Sequence, residues 1–143
     1  MSYQAVILTV SDSCAAGTRT DTSGPAIRAM LENAGFAVQA MQTVPDEEGQ
    51  ISAAIVHACD ILQADLVVTT GGTGLSPRDV TPEATLAVLD REIRAIPVAM
   101  WVEGLKSTPR AMLSRAVAGT RGHTLVLLSL IHISEPTRHA QIS

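Results

Sequence analysis

The sequence predicts an α/β domain in which a mostly parallel sheet carries helices on both faces. Nearly continuous apolar runs at residues 5–10, 65–70 and 123–127 are typical of strands that are covered on both sides. Helical apolar spacing separates these runs, and strands that alternate with helices form parallel sheets with right-handed crossovers. The chain has 143 residues and 46% hydrophobic side chains, which suffices for the core of one domain.

The first half of the chain predicts two strands, two helices and one long loop. These are strand one at residues 5–10, a polar loop at 12–24, helix one at 25–35, strand two at 36–44 and helix two at 51–62. Pro25 suits the first turn of a helix, where its missing N–H is not needed, and Gly35 supplies a helix stop. Pro45 and Asp46 interrupt the apolar alternation of strand two. Because the polar loop exceeds the usual length of a strand-to-helix connection, it is either a binding loop or a mobile surface loop.

The second half predicts two strands and three helices. These are strand three at residues 65–70, a glycine-rich loop at 71–79, a helix capped by Thr81, short helices at 97–105 and 109–117, and a last strand at 123–127. Pro82 follows Thr81 at the first helical position, and Thr108 caps the last of the short helices. That helix includes Ser114 and Arg115. The predicted order is β-α-β-α-β-α-α-α-β.

The composition excludes several classes of function. With three aromatic residues and a formal net charge of −4, the chain lacks the stacking surface and the positive charge that nucleic-acid binding uses. No apolar run approaches the ~18 residues of a membrane span, and the N-terminus lacks a basic signal region, so we expect a soluble cytoplasmic protein. The two cysteines stand apart and no histidine has zinc-ligand spacing, which argues against a disulfide framework or a structural zinc site.

Polar segments follow three predicted strands at the points where the strands end. They are Ser11 with Asp12, Asp46, and the loop at 71–79. The carboxyl ends of parallel strands meet at one edge of a sheet, where such folds bind ligands. Acidic residues dominate positions 1–76 and basic residues dominate positions 77–121. This split suits a small anion that carries a divalent metal, or it reflects only solvated helix faces.

The loop Thr69-Thr70-Gly71-Gly72-Thr73-Gly74 is a candidate anion cradle. Glycine adopts positive φ and allows close approach, so backbone N–H groups can lie against a phosphate. The loop is not a Walker A motif, because no Gly-Lys-Ser/Thr follows, and it does not match the Gly-x-Gly-x-x-Gly fingerprint of dinucleotide-binding folds. A tight structural turn is the alternative interpretation.

Three aspartates and one serine at this edge have the chemistry of a nucleotide site. Asp46 and Asp79 each precede a predicted helix, and two carboxylates at one sheet edge could hold a Mg²⁺ ion that carries nucleotide phosphates. Capping of the helix N-termini is the alternative for both. Ser11 and Asp12 could hold a polar ligand, although an aspartate that starts a turn explains them equally well.

Other polar side chains give weaker signals. Ser114 beside Arg115 suits phosphate recognition, or Arg115 is an ordinary solvated helical arginine. His57 and His123 have no neighbour in sequence that would form a catalytic pair, so we interpret both as structural. Cys14 lies in the polar loop, but no adjacent residue clearly activates it.

Several motifs occur together in one order along the chain. They are Ser11-Asp12, Gly17, Asp21-Thr22-Ser23-Gly24-Pro25, Val44-Pro45-Asp46-Glu47, the run Thr69-Thr70-Gly71-Gly72-Thr73-Gly74-Leu75-Ser76-Pro77-Arg78-Asp79-Val80-Thr81-Pro82-Glu83-Ala84-Thr85, and Ala111-Met112-Leu113-Ser114-Arg115. From about Ala5 to Leu127 the chain thereby resembles the MoaB/Mog family of molybdenum cofactor biosynthesis. The glycine motif is the most specific part of this resemblance.

The resemblance implies a three-layer α/β/α, Rossmann-like, molybdopterin-binding domain that assembles as a homotrimer or a hexamer. It implies adenylylation of molybdopterin with Mg²⁺ and ATP, in which the terminal phosphate of molybdopterin attacks the α-phosphate of ATP and pyrophosphate leaves. It also implies a molybdenum-insertion partner protein. A molybdopterin-binding scaffold without catalytic activity is the alternative function.

By resemblance, Asp46 and Asp79 are the catalytic and metal-holding residues. The positions that the resemblance assigns to substrate or nucleotide binding are Ser11, Asp12, Thr70, Gly71, Gly72, Thr73, Gly74, Ser76, Pro77, Arg78, Ser114 and Arg115.

The chain departs from the family pattern after Leu127. The family continues Asn-Leu-Pro-Gly-x-Pro and then a helix, whereas residues 128–143 read Leu-Ser-Leu-Ile-His-Ile-Ser-Glu-Pro-Thr-Arg-His-Ala-Gln-Ile-Ser. This segment resembles translated read-through of a sequencing adapter. We therefore assign the domain to residues 1–127 and expect residues 128–143 to lie outside the native domain. A fragment inactivated by loss of the Asn-Leu-Pro-Gly-x-Pro segment is therefore a second alternative function.

Overall fold

A six-stranded sheet forms the centre of the fold in the computed structural model, which describes residues 2–128. The strands are β1 (Gln4–Val10), β2 (Ala37–Val44), β3 (Leu66–Thr70), β4 (Arg91–Glu92), β5 (Ala118–Arg121) and β6 (Thr124–Leu128). Their order is β2-β1-β3-β6-β5-β4; the first four are mutually parallel, and β5 and β4 add an antiparallel edge. The predicted mostly parallel α/β sheet is confirmed.

Helices pack on both faces of this sheet. They are α1 (Asp12–Ala15), α2 (Ser23–Asn33), α3 (Glu48–Val56), α4 (Thr81–Leu86) and α5 (Ala95–Leu105), with a π-helical turn at His57–Ile61 and a 3₁₀ helix at Pro109–Leu113. None of the helices within residues 2–128 has the length and apolar character needed to cross a membrane.

Strand β1 shows why the sheet is buried on both sides. Val6 and Leu8 face the core that contains Ile51 of α3, whereas Ile7 faces the core that contains Ile27 of α2. Successive side chains of a strand point to opposite faces, so a strand covered on both faces needs an unbroken apolar run. All five of these side chains are buried, which accounts for the apolar character of β1 on both faces.

The predicted helix at 109–117 is wrong beyond Leu113. The 3₁₀ helix ends there, and Ser114 has an extended backbone with ψ at 132°. Arg115 follows as part of the connection to β5 rather than as a helical residue. The sequence analysis also missed β4 and β5, because two- and four-residue strands at a sheet edge carry no apolar run. β5 reverses into β6 through Gly122, which has φ at +59° and so adopts the left-handed conformation that glycine favours.

Several predicted boundaries also differ. The polar loop contains the short helix α1, which Ser11 caps by accepting a hydrogen bond from the Cys14 N–H at 3.3 Å. Helix α2 begins at Ser23, two residues before Pro25. Thr81 is the first residue of α4 rather than its cap, because Val80 holds the capping position. Leu128 is buried in β6, one residue beyond the predicted domain boundary; residues 129–143 of the predicted tail lie outside the described residues.

Candidate functional site

The glycine loop leaves β3 in a conformation that brings its backbone against β1 and α4. Gly71 has φ at +93°, and a Cβ atom there would collide with the carbonyl oxygen of Val10. Gly72 has φ at +67°, and its added Cβ would collide with the Thr81 hydroxyl and lie 3.2 Å from Asp46 Oδ1. Glycine is therefore required here both by backbone conformation and by space. The consequence is that this loop passes directly beside the Asp46 carboxylate.

Asp12 and Asp46 bind each other's backbone across two strand ends. The Asp12 N–H donates to Asp46 Oδ2 at 3.0 Å, and the Asp46 N–H donates to Asp12 Oδ1 at 2.9 Å. Asp46 lies between β2 and α3, as predicted, but its carboxylate does not cap α3; Glu47 holds that position. The capping alternative for Asp46 is therefore wrong. Its carboxylate instead joins the ends of β1 and β2.

Arg78 connects the glycine loop to this pair of aspartates. Its Nε and Nη2 atoms donate to Asp12 Oδ2 at 3.1 and 2.7 Å. This hydrogen bonding is the main reason that the pKa of Asp12 is lowered, and the Asp46 N–H lowers it further. The site residues Asp12, Asp46 and Arg78, which are 66 positions apart at most, thus form one charged cluster.

The pKa of Asp46 is shifted in the opposite direction, upward. Burial raises its pKa, and the negative charges of Asp12 and Asp79 raise it further against the opposing effects of the Asp12 N–H and Arg78. The Asp79 carboxylate also lies against the glycine loop, because an added Cβ at Gly74 would be 2.8 Å from Asp79 Oδ2. Asp79 Oδ2 accepts the Ser76 N–H at 3.0 Å. It does not cap α4, so the capping alternative is wrong for Asp79 as well.

The raised pKa of Asp46 has a consequence for stability. Because the folded protein binds this proton more tightly than the unfolded chain, ionised Asp46 opposes folding at any pH above its folded-state pKa. Asp46→Asn should therefore raise the melting temperature slightly at pH 7. The gain should shrink as the pH falls and vanish below the ordinary carboxyl pKa of about 4, where both states are protonated. Thermal melts from pH 4 to 8 measure this; a lower melting temperature at pH 7 would contradict it.

Arg115 holds the glycine loop from the other side. Its backbone N–H donates to the Thr73 carbonyl at 2.8 Å, and its Nε donates to the Gly74 carbonyl at 3.0 Å. Its two terminal nitrogens bind the Asp79 carbonyl and the Glu83 carboxylate. The bonds to the carboxylate lower the pKa of Glu83. Arg115 is thus not a solvated helical arginine, and its guanidinium positions the backbone between Gly74 and Asp79.

Arg115→Lys should loosen this loop, because a lysine cannot donate to two carbonyls and a carboxylate from one planar group. We expect a loss of about 1–3 kcal/mol in the free energy of unfolding and a lower rate of any reaction at the loop. The matched control is Arg121→Lys. Arg121 makes a similar fork to Asp60 and the Val88 carbonyl, away from the glycine loop. Denaturant unfolding should show a loss in both variants, and only Arg115→Lys should lose activity. Equal activity in the two variants would contradict the positioning role.

Ser114 lies beside the glycine loop as well. Its hydroxyl is 3.2 Å from Thr73 Oγ1, and its carbonyl accepts the indole N–H of Trp101 at 2.8 Å. The extended backbone at Ser114 directs its hydroxyl and its carbonyl toward these partners. In the predicted helix, these two groups would point elsewhere. Ser76 and Pro77 are exposed and line neither of the pockets described next.

Two pockets share Gly71 in their linings. The polar-loop pocket is lined by Thr9, Val10, Ser11, Cys14, Arg19, Thr20, Asp21, Thr22, Ser23, Thr70 and Gly71. The glycine-loop pocket is lined by Gly71, Gly72, Thr73, Gly74, Asp79, Arg110, Leu113 and Ser114. Two adjoining pockets that share one glycine could hold the two halves of a ligand, or two ligands that react together.

Three buried threonine hydroxyls, those of Thr69, Thr70 and Thr81, have no hydrogen-bond partner among the described residues. Thr70 is 1% exposed and lines the polar-loop pocket, and Thr81 lies against Gly72. A buried hydroxyl without a partner costs about 1–3 kcal/mol, so such groups are usually satisfied by a ligand or by water. Of the three, only Thr70 lines one of these two pockets, where its hydroxyl could bind a polar ligand or a water molecule.

The sequence analysis missed several residues of this site. Asp21 accepts hydrogen bonds from the Thr9 hydroxyl at 2.8 Å and from the Gly24 N–H at 3.0 Å, which closes the polar loop over its pocket. The sequence analysis did not assign Glu83 or Arg110 to the site either. Asp21 and Glu83 belong to the quoted motifs, so they could have been chosen, whereas Arg110 has no sequence signal.

Comparison with known proteins identifies the family. The profile of the family described as "Probable molybdopterin binding domain" matches residues 6–129. The chain belongs to this molybdopterin-binding family. The predicted resemblance to MoaB/Mog proteins is thereby confirmed, and the glycine loop and the Asp12–Asp46–Arg78 cluster lie within the matched range.

Relatives within the molybdopterin-binding family support the same assignment. A molybdopterin adenylyltransferase of Helicobacter pylori is 38% identical over 125 residues, covering 85% of this chain and 70% of that protein. The crystal structure of the molybdopterin biosynthesis enzyme MoaB from Thermus thermophilus is similar with a TM-score of 0.83 and 48% identity, covering 88% of this chain and 79% of that one. The molybdenum cofactor synthesis protein cinnamon of Drosophila melanogaster is 38% identical over 122 residues; the match covers 85% of this chain but only 20% of that longer protein.

Proposed function

We propose that the chain acts in molybdenum cofactor biosynthesis as a molybdopterin adenylyltransferase that uses ATP and Mg²⁺. The observation that carries this proposal is the position of two carboxylates against the glycine loop: an added Cβ would lie 3.2 Å from Asp46 Oδ1 at Gly72 and 2.8 Å from Asp79 Oδ2 at Gly74. Nucleotidyl transfer depends mainly on positioning and on neutralising phosphate charge, which is what carboxylate-held metal and backbone N–H groups supply. The relatives named as molybdopterin adenylyltransferases support the choice of substrate.

The carboxylates fit a Mg²⁺ ion that arrives with the nucleotide. Within residues 2–128 no group of three or more histidine, cysteine, aspartate or glutamate side chains could hold a metal by itself. Mg²⁺ commonly uses one or two protein carboxylates together with substrate phosphates, so Asp46 and Asp79 would suffice. When bound, the ion would neutralise phosphate charge and orient the reacting groups.

The other residues of the site have supporting roles in this proposal. Gly71 to Gly74 offer backbone N–H groups to phosphate oxygens. Arg78 offsets the repulsion among the aspartates through Asp12, and Arg115 keeps the loop in place. The terminal phosphate oxygen of molybdopterin forms a bond to the α-phosphorus of ATP, and the bond from that phosphorus to the bridging oxygen breaks. Pyrophosphate leaves with the electron pair, and the adenylylated product would pass to a molybdenum-insertion partner.

The test is release of pyrophosphate by the purified chain. We expect release that requires ATP, Mg²⁺ and molybdopterin together, with each omission as a control. A second chain, in which residues 128–143 are replaced by the family pattern Asn-Leu-Pro-Gly-x-Pro and its following helix, is measured in parallel. Activity in either chain supports the proposal. Tight molybdopterin binding without pyrophosphate release in both chains would overturn it in favour of a non-catalytic scaffold.

We further propose a homotrimer in the cytoplasm, where ATP is available. Helix α5 supports the assembly, because Val98, Val102 and Leu105 are 51%, 56% and 44% exposed in the single chain. Exposed apolar side chains grouped on one helix mark an interaction surface. Analytical ultracentrifugation should give three times the mass of one chain; a monomer at micromolar concentration would contradict the trimer.

A further inference from the structure

Arg110 lies in the glycine-loop pocket without a partner for its charge. It lines the pocket together with Gly72, Thr73, Asp79 and Ser114. Its backbone N–H donates to Thr108 Oγ1 at 3.2 Å, which holds its position at the start of the 3₁₀ helix. Its guanidinium makes no hydrogen bond or ion pair with any residue from 2 to 128.

The two other arginines beside the glycine loop are already engaged. Arg78 donates two hydrogen bonds to Asp12, and Arg115 donates to two carbonyls and to Glu83. Their positive charges are therefore directed at protein groups. Among these three arginines in the described part of the chain, Arg110 alone keeps its five N–H donors available for a ligand.

In the absence of Mg²⁺, the pocket needs a cationic side chain if it is to accept an anion. Asp79 lines it and repels phosphate, while the glycine loop contributes only dipoles. An arginine binds a phosphate through two parallel N–H donors, and this geometry is both stronger and more selective than a single neutral hydrogen bond.

We propose that Arg110 binds a phosphate group of a substrate in the glycine-loop pocket. This inference rests on the proposed function for the choice of ligands. The candidate ligands all carry a phosphate group. It could come from ATP and its pyrophosphate product, or it could be the terminal phosphate of molybdopterin. Arg110 would be a substrate-binding residue and not a residue that positions others.

The experiment is a binding titration of the full chain that does not depend on turnover. Trp101 is the sole tryptophan of the sequence, and its indole N–H contacts the carbonyl of Ser114 in the same pocket, so its fluorescence should report occupancy. Inorganic pyrophosphate, Mg²⁺ with ATP, and molybdopterin are titrated separately. Arg110→Gln should weaken at least one of them about tenfold, which corresponds to about 1.4 kcal/mol. Arg110→Lys should restore part of the affinity.

Arg91→Gln is the matched control. Arg91 is also an exposed arginine, in β4, and it lines neither pocket, so this variant changes the net charge equally. It should leave every dissociation constant unchanged. If Arg110→Gln weakens pyrophosphate and ATP, the phosphate comes from the nucleotide, and if it weakens molybdopterin alone, the phosphate comes from the pterin.

Unchanged affinity of Arg110→Gln for all three ligands would overturn the inference, and so would an equal effect in Arg91→Gln. These outcomes are distinct from a failure of the proposed function. Arg110-dependent binding without pyrophosphate release would remove the adenylyltransferase assignment and keep the phosphate site. Pyrophosphate release with binding that does not depend on Arg110 would keep the adenylyltransferase assignment and remove the phosphate site at Arg110.

Discussion

Asp79→Asn should reduce the rate of pyrophosphate release by at least about 100-fold, the order of effect found when one group is removed from a preorganised electrostatic site. The substitution removes a charge and keeps the shape. The asparagine oxygen can still accept the Ser76 N–H that Asp79 Oδ2 accepts at 3.0 Å, so the loop should keep its conformation. The loss would therefore come from weaker metal and phosphate binding rather than from misfolding.

Steady-state assays across a range of Mg²⁺ concentrations test this expectation, with circular dichroism and thermal melts to confirm the fold. Asp90→Asn is the control. Its carboxylate likewise accepts one backbone N–H, that of Gly122 at 2.7 Å, but it lies at the antiparallel edge of the sheet. We expect full activity in the control. Full activity in Asp79→Asn would remove this aspartate from the mechanism.

Gly71→Ala should cost both stability and activity. At φ of +93° an alanine is strained by about 1–2 kcal/mol, and its Cβ would also meet the Val10 carbonyl oxygen. Backbone atoms cannot move aside as a flexible side chain can, so the overpacking should add about 1–3 kcal/mol. The melting temperature should fall by about 2–4 °C for each kcal/mol in a domain of this size. The loop would also move away from Asp46.

Gly35→Ala separates strain from collision. Gly35 has nearly the same backbone, with φ at +97°, but nothing lies within 4 Å of its added Cβ. Gly35→Ala should lose only the stability that backbone strain costs, without the loss from collision. It should keep its activity, because Gly35 follows α2 and borders neither pocket. Differential scanning calorimetry of the two variants gives the comparison. Equal melting temperatures would mean that the contact between the glycine loop and β1 is not tight in solution.

Local patterns in the sequence accounted for the parallel core of the fold. The unbroken apolar runs of β1 and β3 predicted strands covered on both faces, and the helical spacing after Pro25 and before Gly35 placed α2 within two residues of its ends. The antiparallel edge could not be predicted, because β5 reads Ala-Gly-Thr-Arg and its stability comes from pairing with β6. Pairing of this kind depends on the partner strand and not on the segment itself.

The sequence by itself determined which segments meet at the carboxyl edge of the sheet, because apolar periodicity orders the strands and parallel strands end on the same side. It also determined the family, through motifs whose glycines are required by the backbone at Gly71 and Gly72. The tertiary structure alone decided how the arginines are used. Arg78 and Arg115 bind protein groups while Arg110 stays unpaired among the described residues, since a charge finds its partner by distance in space and no spacing along the chain encodes that distance.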